Sequence, residues 1–212
     1  MKKILLAVIA SSLLMIAPAN SEMGVGITAN FAATDVSGSE TLRGSGKITS
    51  HTQQEDLVLP ELFVEYVGDR GSLGLAYIPV QELGKKKRTD TNTEGSSGDY
   101  TAEAEIASHA MLYADLNLTE VYGQMLYAKF GIARAEIKTL ESLNSGSSYQ
   151  DATVLGTTLG AGIKADLLSS GMYYKIEGTY TDYEDYASRS AANAVKAELD
   201  VTSVKVSLGY KF

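Results

Sequence analysis

Val204-Lys205-Val206-Ser207-Leu208-Gly209-Tyr210-Lys211-Phe212 closes the chain, with an apolar or aromatic residue at every second place and Lys, Ser or Gly between them. Successive side chains of an extended strand point to opposite faces, so this alternation predicts a β-strand with a different medium on each side. The apolar face meets either a packed protein interior or hydrocarbon. The rest of the chain has to decide between them.

Working back from this strand, seven further alternating segments emerge, bounded by Gly, Ser, Asn and Asp. The first, about Met23 to Ala33, sets Val25, Ile27, Ala29 and Phe31 against Gly24, Gly26, Thr28 and Asn30. The second, about Leu57 to Val67, sets Leu62, Val64 and Tyr66 against Glu61, Phe63 and Glu65, with Pro60 where a strand end or bulge tolerates it. The third, about Ser72 to Val80, sets Leu73, Leu75 and Tyr77 against Gly74 and Ala76. The fourth, about Glu103 to Leu118, sets Ile106, Ala110, Leu112, Ala114 and Leu116 against Glu105, His109, Tyr113, Asp115 and Asn117. The fifth, about Val121 to Ile137, sets Leu126, Ala128, Phe130 and Ile132 against Tyr127, Lys129 and Gly131. Arg134 and Glu136 then fall on its apolar face, which predicts a bulge or an exit into water there. The sixth, about Thr153 to Leu167, sets Leu155, Leu159, Ala161 and Ile163 against Gly156, Gly160, Gly162, Lys164 and Asp166. The seventh, about Met172 to Asp182, sets Met172, Tyr174, Ile176 and Tyr180 against Tyr173, Lys175, Glu177 and Thr179.

Between these segments, short and long connections alternate. Short ones follow the second segment (Gly68 to Gly71), the fourth (around Thr119 and Glu120) and the sixth (Ser169 to Gly171). Long polar ones run from about Thr34 to Asp56, Leu83 to Ala102, Lys138 to Ala152 and Tyr183 to Glu198. An up-and-down barrel with long loops on one rim and short turns on the other has this rhythm.

The amino-terminal end adds a compartment. Lys2 and Lys3 precede an apolar run from Ile4 to Ile16 and the small-residue site Ala17-Pro18-Ala19, the pattern of a secretory leader over residues 1–19 with a barrel domain over 20–212. The apolar run falls short of the ~20 residues a spanning helix needs. Loss of two lysines takes the formal charge from -8 to -10, which argues against a nucleic-acid partner. The absence of Cys excludes a disulfide framework and a thiolate nucleophile.

Three features favour hydrocarbon on the apolar face. The opposite face carries Glu61, Glu65, Glu105, Asp115, Asp166 and Glu177 together with Lys129, Lys164, Lys175, Lys205 and Lys211, a near balance of sign suited to mutual pairing in a confined lumen. The segments are about ten residues or longer, close to the ~9–11 that a tilted strand needs to cross a bilayer. Tyr66, Tyr77, Tyr174, Tyr180, Tyr210 and Phe212 gather near segment ends, as interfacial girdles do.

With its eight segments, its loop rhythm and its closing Val206-Ser207-Leu208-Gly209-Tyr210-Lys211-Phe212, the mature chain resembles small Gram-negative outer-membrane barrels of the OmpA/OmpX and opacity-protein kind. The resemblance implies an all-β, eight-stranded antiparallel up-and-down transmembrane barrel in the bacterial outer membrane, monomeric, with four loops outside the cell and both ends in the periplasm. It also implies outer-membrane lipids and lipopolysaccharide as surroundings. Leu208, Tyr210 and Phe212 match the terminal strand that the barrel-assembly machinery reads after delivery by periplasmic chaperones. Eight strands leave too little bore for an aqueous diffusion pore.

Catalytic, cofactor and metal sites find no support in the residues. His109 follows Ser108, so the two side chains point to opposite faces and cannot form a nucleophile–base pair. His51 lies in the first long connection near Glu55 and Asp56, an arrangement typical of a solvated side chain, and no His pair has ligand spacing. Lumen charges with Tyr113, Tyr127 and Tyr173 as bulk predict a salt-bridged plug rather than an ion path. Lys85, Lys86, Lys87 and Arg88 form a basic cluster at the long-loop rim, able to meet lipopolysaccharide phosphates. The expected role is non-catalytic, in envelope structure or surface interaction through the loops. The alternative is a narrow channel for small or apolar solutes.

Overall fold

The protein is described from a computed structural model, which covers residues 22–42, 44, 46–90, 98–139, 151–167, 171–189 and 193–212. The leader assigned to residues 1–19 lies outside the described residues. Ten strands follow in order: β1 (Glu22–Leu42), β2 (Ile48–Gly68), β3 (Gly71–Ile78), β4 (Gln81–Asp90), β5 (Gly98–Val121), β6 (Gln124–Thr139), β7 (Ala152–Leu167), β8 (Met172–Tyr183), β9 (Tyr186–Arg189) and β10 (Asn193–Lys211). All neighbours are antiparallel, in the order β1-β2-β3-β5-β6-β7-β8-β10, and β10 returns to β1 from Gly24↔Lys211 to Leu42↔Asn193. The ring is therefore a closed barrel of eight strands, with β4 continuing β3 along β5 and β9 continuing β8 along β10.

Pairing of β1 with β10 satisfies the backbone groups that the two edge strands of an open sheet would leave bare, which hydrocarbon could not hydrate. At the seam where the chain ends meet, Met23 and Phe212 exchange both backbone hydrogen bonds, at 3.1 and 2.9 Å. This rim also carries the short turns. Tyr122 and Gly123 have φ of 52° and 77°, the left-handed pair that a two-residue hairpin turn requires. The turn thus falls at Tyr122-Gly123, and β5 continues through Thr119 and Glu120, where the sequence placed it.

Side-chain exposure follows the alternation. On β10, Val204, Val206, Leu208 and Tyr210 are exposed while Ser203, Lys205 and Ser207 are buried; on β1, Val25, Ile27 and Phe31 are exposed while Thr28 and Asn30 are buried. Apolar groups thus clothe the outside and polar groups fill the inside, the reverse of a soluble barrel. Tyr66, Tyr210 and Phe212 lie outside near the short-turn rim, and Tyr77 and Tyr180 lie outside at higher levels.

The long connections differ from their sequence reading. Much of Thr34 to Asp56 is the upper part of β1 and β2, paired from Thr34↔Glu55 to Thr41↔Ile48. Likewise Lys85, Lys86, Lys87 and Arg88 form strand β4, in register with Glu103, Ala102, Thr101 and Tyr100, and do not form a loop. The strands outlast the alternation because both faces meet water above the apolar belt. Burial then imposes no period of two, although the ladder of backbone bonds continues.

A second correction concerns β5. Its register against β6 shifts between Ile106 and Ser108, so Ala107 is the extra residue of a bulge. Ile106 consequently pairs with Ile137, which packs on the interior cluster, and Glu105 pairs with Lys138 on the opposite face. Glu105 therefore leaves the lumen set and Ile106 leaves the outer face. On β6 no bulge interrupts the pairing with β7; Ala133 and Ala135 stay inside, and Arg134 stands exposed outside where the apolar belt ends.

Candidate functional site

The interior is built from β2, β5, β6, β8 and β10, each contributing one charged side chain or more at a level set by register. Asp115 pairs with Lys129 across β5–β6, and Lys205 with Glu177 across β10–β8. Four carboxylates (Glu61, Glu65, Asp115, Glu177) and three ammonium groups (Lys129, Lys175, Lys205) are buried. Lys175 Nζ donates to Asp115 Oδ2 at 2.7 Å and to Glu65 Oε2 at 3.0 Å. Lys129 Nζ lies 2.9 Å from Glu177 Oε2 and 3.5 Å from Asp115 Oδ1. Lys205 Nζ donates to Glu61 Oε2 at 2.7 Å.

Tyrosines complete the shell. Tyr113 and Tyr173 donate to the two oxygens of Glu65 at 2.7 and 2.6 Å, and Tyr127 donates to Glu177 at 2.6 Å. Lys129 also sits 3.9 Å from the Tyr113 ring centre, within cation–π range. Such a network occupies the bore because buried ions survive only when paired and their remaining lone pairs are met by donors. Glycines make room for the rings. A Cβ at Gly74 would overlap Tyr113, and one at Gly209 would overlap Tyr173.

Below this plug, a vestibule of about 460 Å3 opens at the short-turn rim. Lys164 and Asp166 line it together with Lys211, which pairs with Asp166 at 2.7 Å. These three lie at the mouth, and Asp166 is open to water. Lys164 has the Tyr127 ring as its partner, 5.5 Å from the centroid.

Above the plug, His109 Nε2 and Tyr183 OH are 2.9 Å apart, and Thr158 bonds Thr181 at 2.8 Å. Ser108 turns the other way and donates to Glu136. The side chains of His51 and of Lys85, Lys86, Lys87 and Arg88 lie outside the described set. Leu208 and Tyr210 face outward on β10, and Phe212 stacks on Tyr210 with ring centres 6.4 Å apart.

The sequence reading missed the hydroxyl partners, Ser72, Thr28, Ser207 and Tyr183. Their signal was present, since they share the inward phase with Lys and Glu. It also missed an interruption of the wall. The β2–β3 ladder stops at Leu62↔Tyr77. Continued upward, the same register would set Pro60 against Pro79.

Among known proteins, no family model matches the chain. The 25 kDa outer-membrane immunogenic proteins of Brucella canis and Brucella abortus are each 34% identical to it over 88 residues. The matched segment spans 42% of this chain and 39% of the length of those curated relatives. Of solved structures, the outer membrane protein AlkL in lipid bilayers is similar over 92% of this chain and 94% of its own, at 12% identity and a TM-score of 0.49. OprG from Pseudomonas aeruginosa is similar over 90% and 97%, at 17% identity and a TM-score of 0.42. Neisserial surface protein A is similar over 88% and 99%, at 13% identity and a TM-score of 0.40. Closed by its own first and last strands, greasy without and ionic within, this chain is an outer-membrane β-barrel protein.

Proposed function

We propose that the protein is a non-catalytic, non-conducting barrel that serves envelope structure and surface interaction. The observation that carries this reading is the plug: Lys175, Lys129, Glu65, Asp115 and Glu177 join strands on opposite sides of the ring, with three tyrosines between them. Paired ions and rings that span the bore support a barrel closed to water and ions. His109 is bonded to the Tyr183 hydroxyl at 2.9 Å, while Ser108 beside it points to the opposite face and donates to Glu136. Purified protein in planar bilayers is expected to give no steady current. A reproducible open level under native conditions would overturn this reading.

Surface work then belongs to the upper hairpins, which stand beyond the apolar belt. The Brucella relatives bear the name of immunogenic outer-membrane proteins, in keeping with a surface that reaches the exterior. The backbone of Lys85, Lys86, Lys87 and Arg88 runs in β4, and four basic residue types in sequence there suit lipopolysaccharide phosphates. Replacing all four by Ser is expected to weaken binding to lipopolysaccharide micelles at low salt; unchanged affinity would remove the idea. Leu208, Tyr210 and Phe212 would act earlier, as the strand presented to the assembly machinery. Deletion of Phe212 is expected to lower the outer-membrane level while the purified variant still folds in detergent.

A narrow path for apolar solutes, the second reading, has one feature in its favour. The wall between β2 and β3 lacks its ladder above Leu62 and Tyr77.

A further inference from the structure

Among the described residues, β2 has no partner on its β3 side from Ile48 to Glu61, although it stays paired with β1 throughout. Pro60 and Pro79 explain where the ladder stops. Neither can donate a backbone hydrogen bond, and the shared register would have placed them face to face. On the far side of β3, the β5 bulge at Ala107 lies at the same height, and β4 carries its own shift between Glu82 and Gly84. Three breaks of regular pairing thus coincide around one point in the wall.

That point lies within the apolar belt. Val58 is 65% exposed and Leu62 54% on the outer side of β2, and Tyr77 and Val80 are exposed on the other flank. Inside, Leu59 and Ile78 pack together with Ala32 and close the seam by side-chain contact. No backbone bond has to break for them to part. Next to this apolar latch stand two buried polar atoms without a partner, Asn30 Oδ1 and His109 Nδ1. Asn30 is in register with Leu59, and His109 with Ile78; the two residues are 4% and 7% exposed.

We propose that the β2–β3 seam is a binding site for a free long-chain alcohol or fatty acid, its polar head turned inward to Asn30 and His109 and its tail passing between Pro60 and Pro79 into the membrane. Asn30 Oδ1 accepts a hydrogen bond from the hydroxyl of the alcohol or of the acid in its protonated form. His109 Nδ1 accepts or donates according to the tautomer that its bond to Tyr183 selects. The tail of a membrane lipid presents only a methyl group to the interior and leaves both atoms unmet, so the occupant is a free amphiphile. The proposal rests on the apolar-solute reading of the wall, but it concerns occupancy of the seam and needs no passage through the barrel.

Its test uses the whole protein in nanodiscs of dimyristoylphosphatidylcholine, titrated with 1-dodecanol, dodecanoic acid and dodecane while the His109 ring and Asn30 side-chain amide signals are followed by NMR. Saturable shifts are expected with the alcohol or the acid, at least about tenfold weaker for dodecane. His109→Phe and Asn30→Leu should each weaken binding about fivefold to tenfold, the scale of one lost hydrogen bond. Because the chain has no Cys, a Leu59→Cys/Ile78→Cys pair joined by a short, reducible bifunctional thiol cross-linker can lock the seam, with the cross-linked protein expected to lose binding that the reduced form keeps. Equal affinity for dodecane, an absence of saturation, or equal binding by the locked and reduced forms would overturn the proposal. Failure of the chain to enter the nanodisc would sink the membrane reading along with it, whereas inserted protein that binds none of the probes sinks the seam site alone.

Discussion

Lys205 and Glu61, 144 residues apart in sequence, meet at 2.7 Å inside the barrel, where their ion pair ties β10 to β2 across β1. The same relationship recurs lower down between Lys175 and Asp115, 60 residues apart and on strands separated by β6 and β7. The outer face has only lipid to touch, so these interior contacts are where side chains bind the ring across its width.

Removal of a cation from this set should cost more than removal of the whole local cluster. Lys175→Met leaves Glu65 and Asp115 buried without their shared counter-ion and is expected to destabilise the barrel by about 3–5 kcal/mol in urea unfolding from lipid vesicles. Combining it with E65Q and D115N should recover a large part of that loss. A Lys175→Met barrel as stable as the native one would contradict the network's role.

A charge on the outer face should report depth. Val206→Lys, in the middle of the belt, is expected to cost about 2–4 kcal/mol, and Asp200→Lys, near its upper edge, about 0–1 kcal/mol. Equal effects at the two sites, measured by the same unfolding assay, would be inconsistent with a bilayer around β10.

The glycine–tyrosine contacts invite a double-mutant cycle. Gly209→Val places its side chain in the space of the Tyr173 ring and should destabilise by about 1–3 kcal/mol. Tyr173→Ala should relieve most of that strain, giving non-additivity of about 1 kcal/mol or more. Additive effects would mean that the ring does not press on this glycine.

Bulk in the bore should control conductance. Simultaneous Tyr113→Ala, Tyr127→Ala and Tyr173→Ala replacement is expected to give small, steady current steps in planar bilayers, while each single replacement stays silent. A triple variant that folds and remains closed would show that the ion pairs alone seal the bore.

Much of this architecture was legible because one property, the two-residue period, survives wherever the two faces of a strand meet different media. Val204 to Phe212 and Met23 to Ala33 display it plainly, and they are the two strands that close the ring. Where both faces meet water the signal vanishes, so the upper parts of β1 and β2 and all of β4 read as loops. The Ala107 bulge was illegible for another reason. Glu105 and Ile106 each suit either side near the rim, so the phase change left no mark in composition. Pro60 was visible as an anomaly, but its meaning depended on Pro79, and only the β2–β3 register connects the two. Partners inside the plug could not be read either, because period places Lys175 and Glu65 on one face without saying which strands face one another across the bore.

The most direct measurement uses single cysteines, introduced into this cysteine-free chain at Val204, Lys205, Val206, Ser207 and Leu208 and spin-labelled in bilayers. Collision with oxygen should be high at Val204, Val206 and Leu208 and low at Lys205 and Ser207, with a water-soluble relaxer weak at all five. Strong access of the water-soluble relaxer to the even-numbered positions would mean that water, and no hydrocarbon, surrounds the barrel.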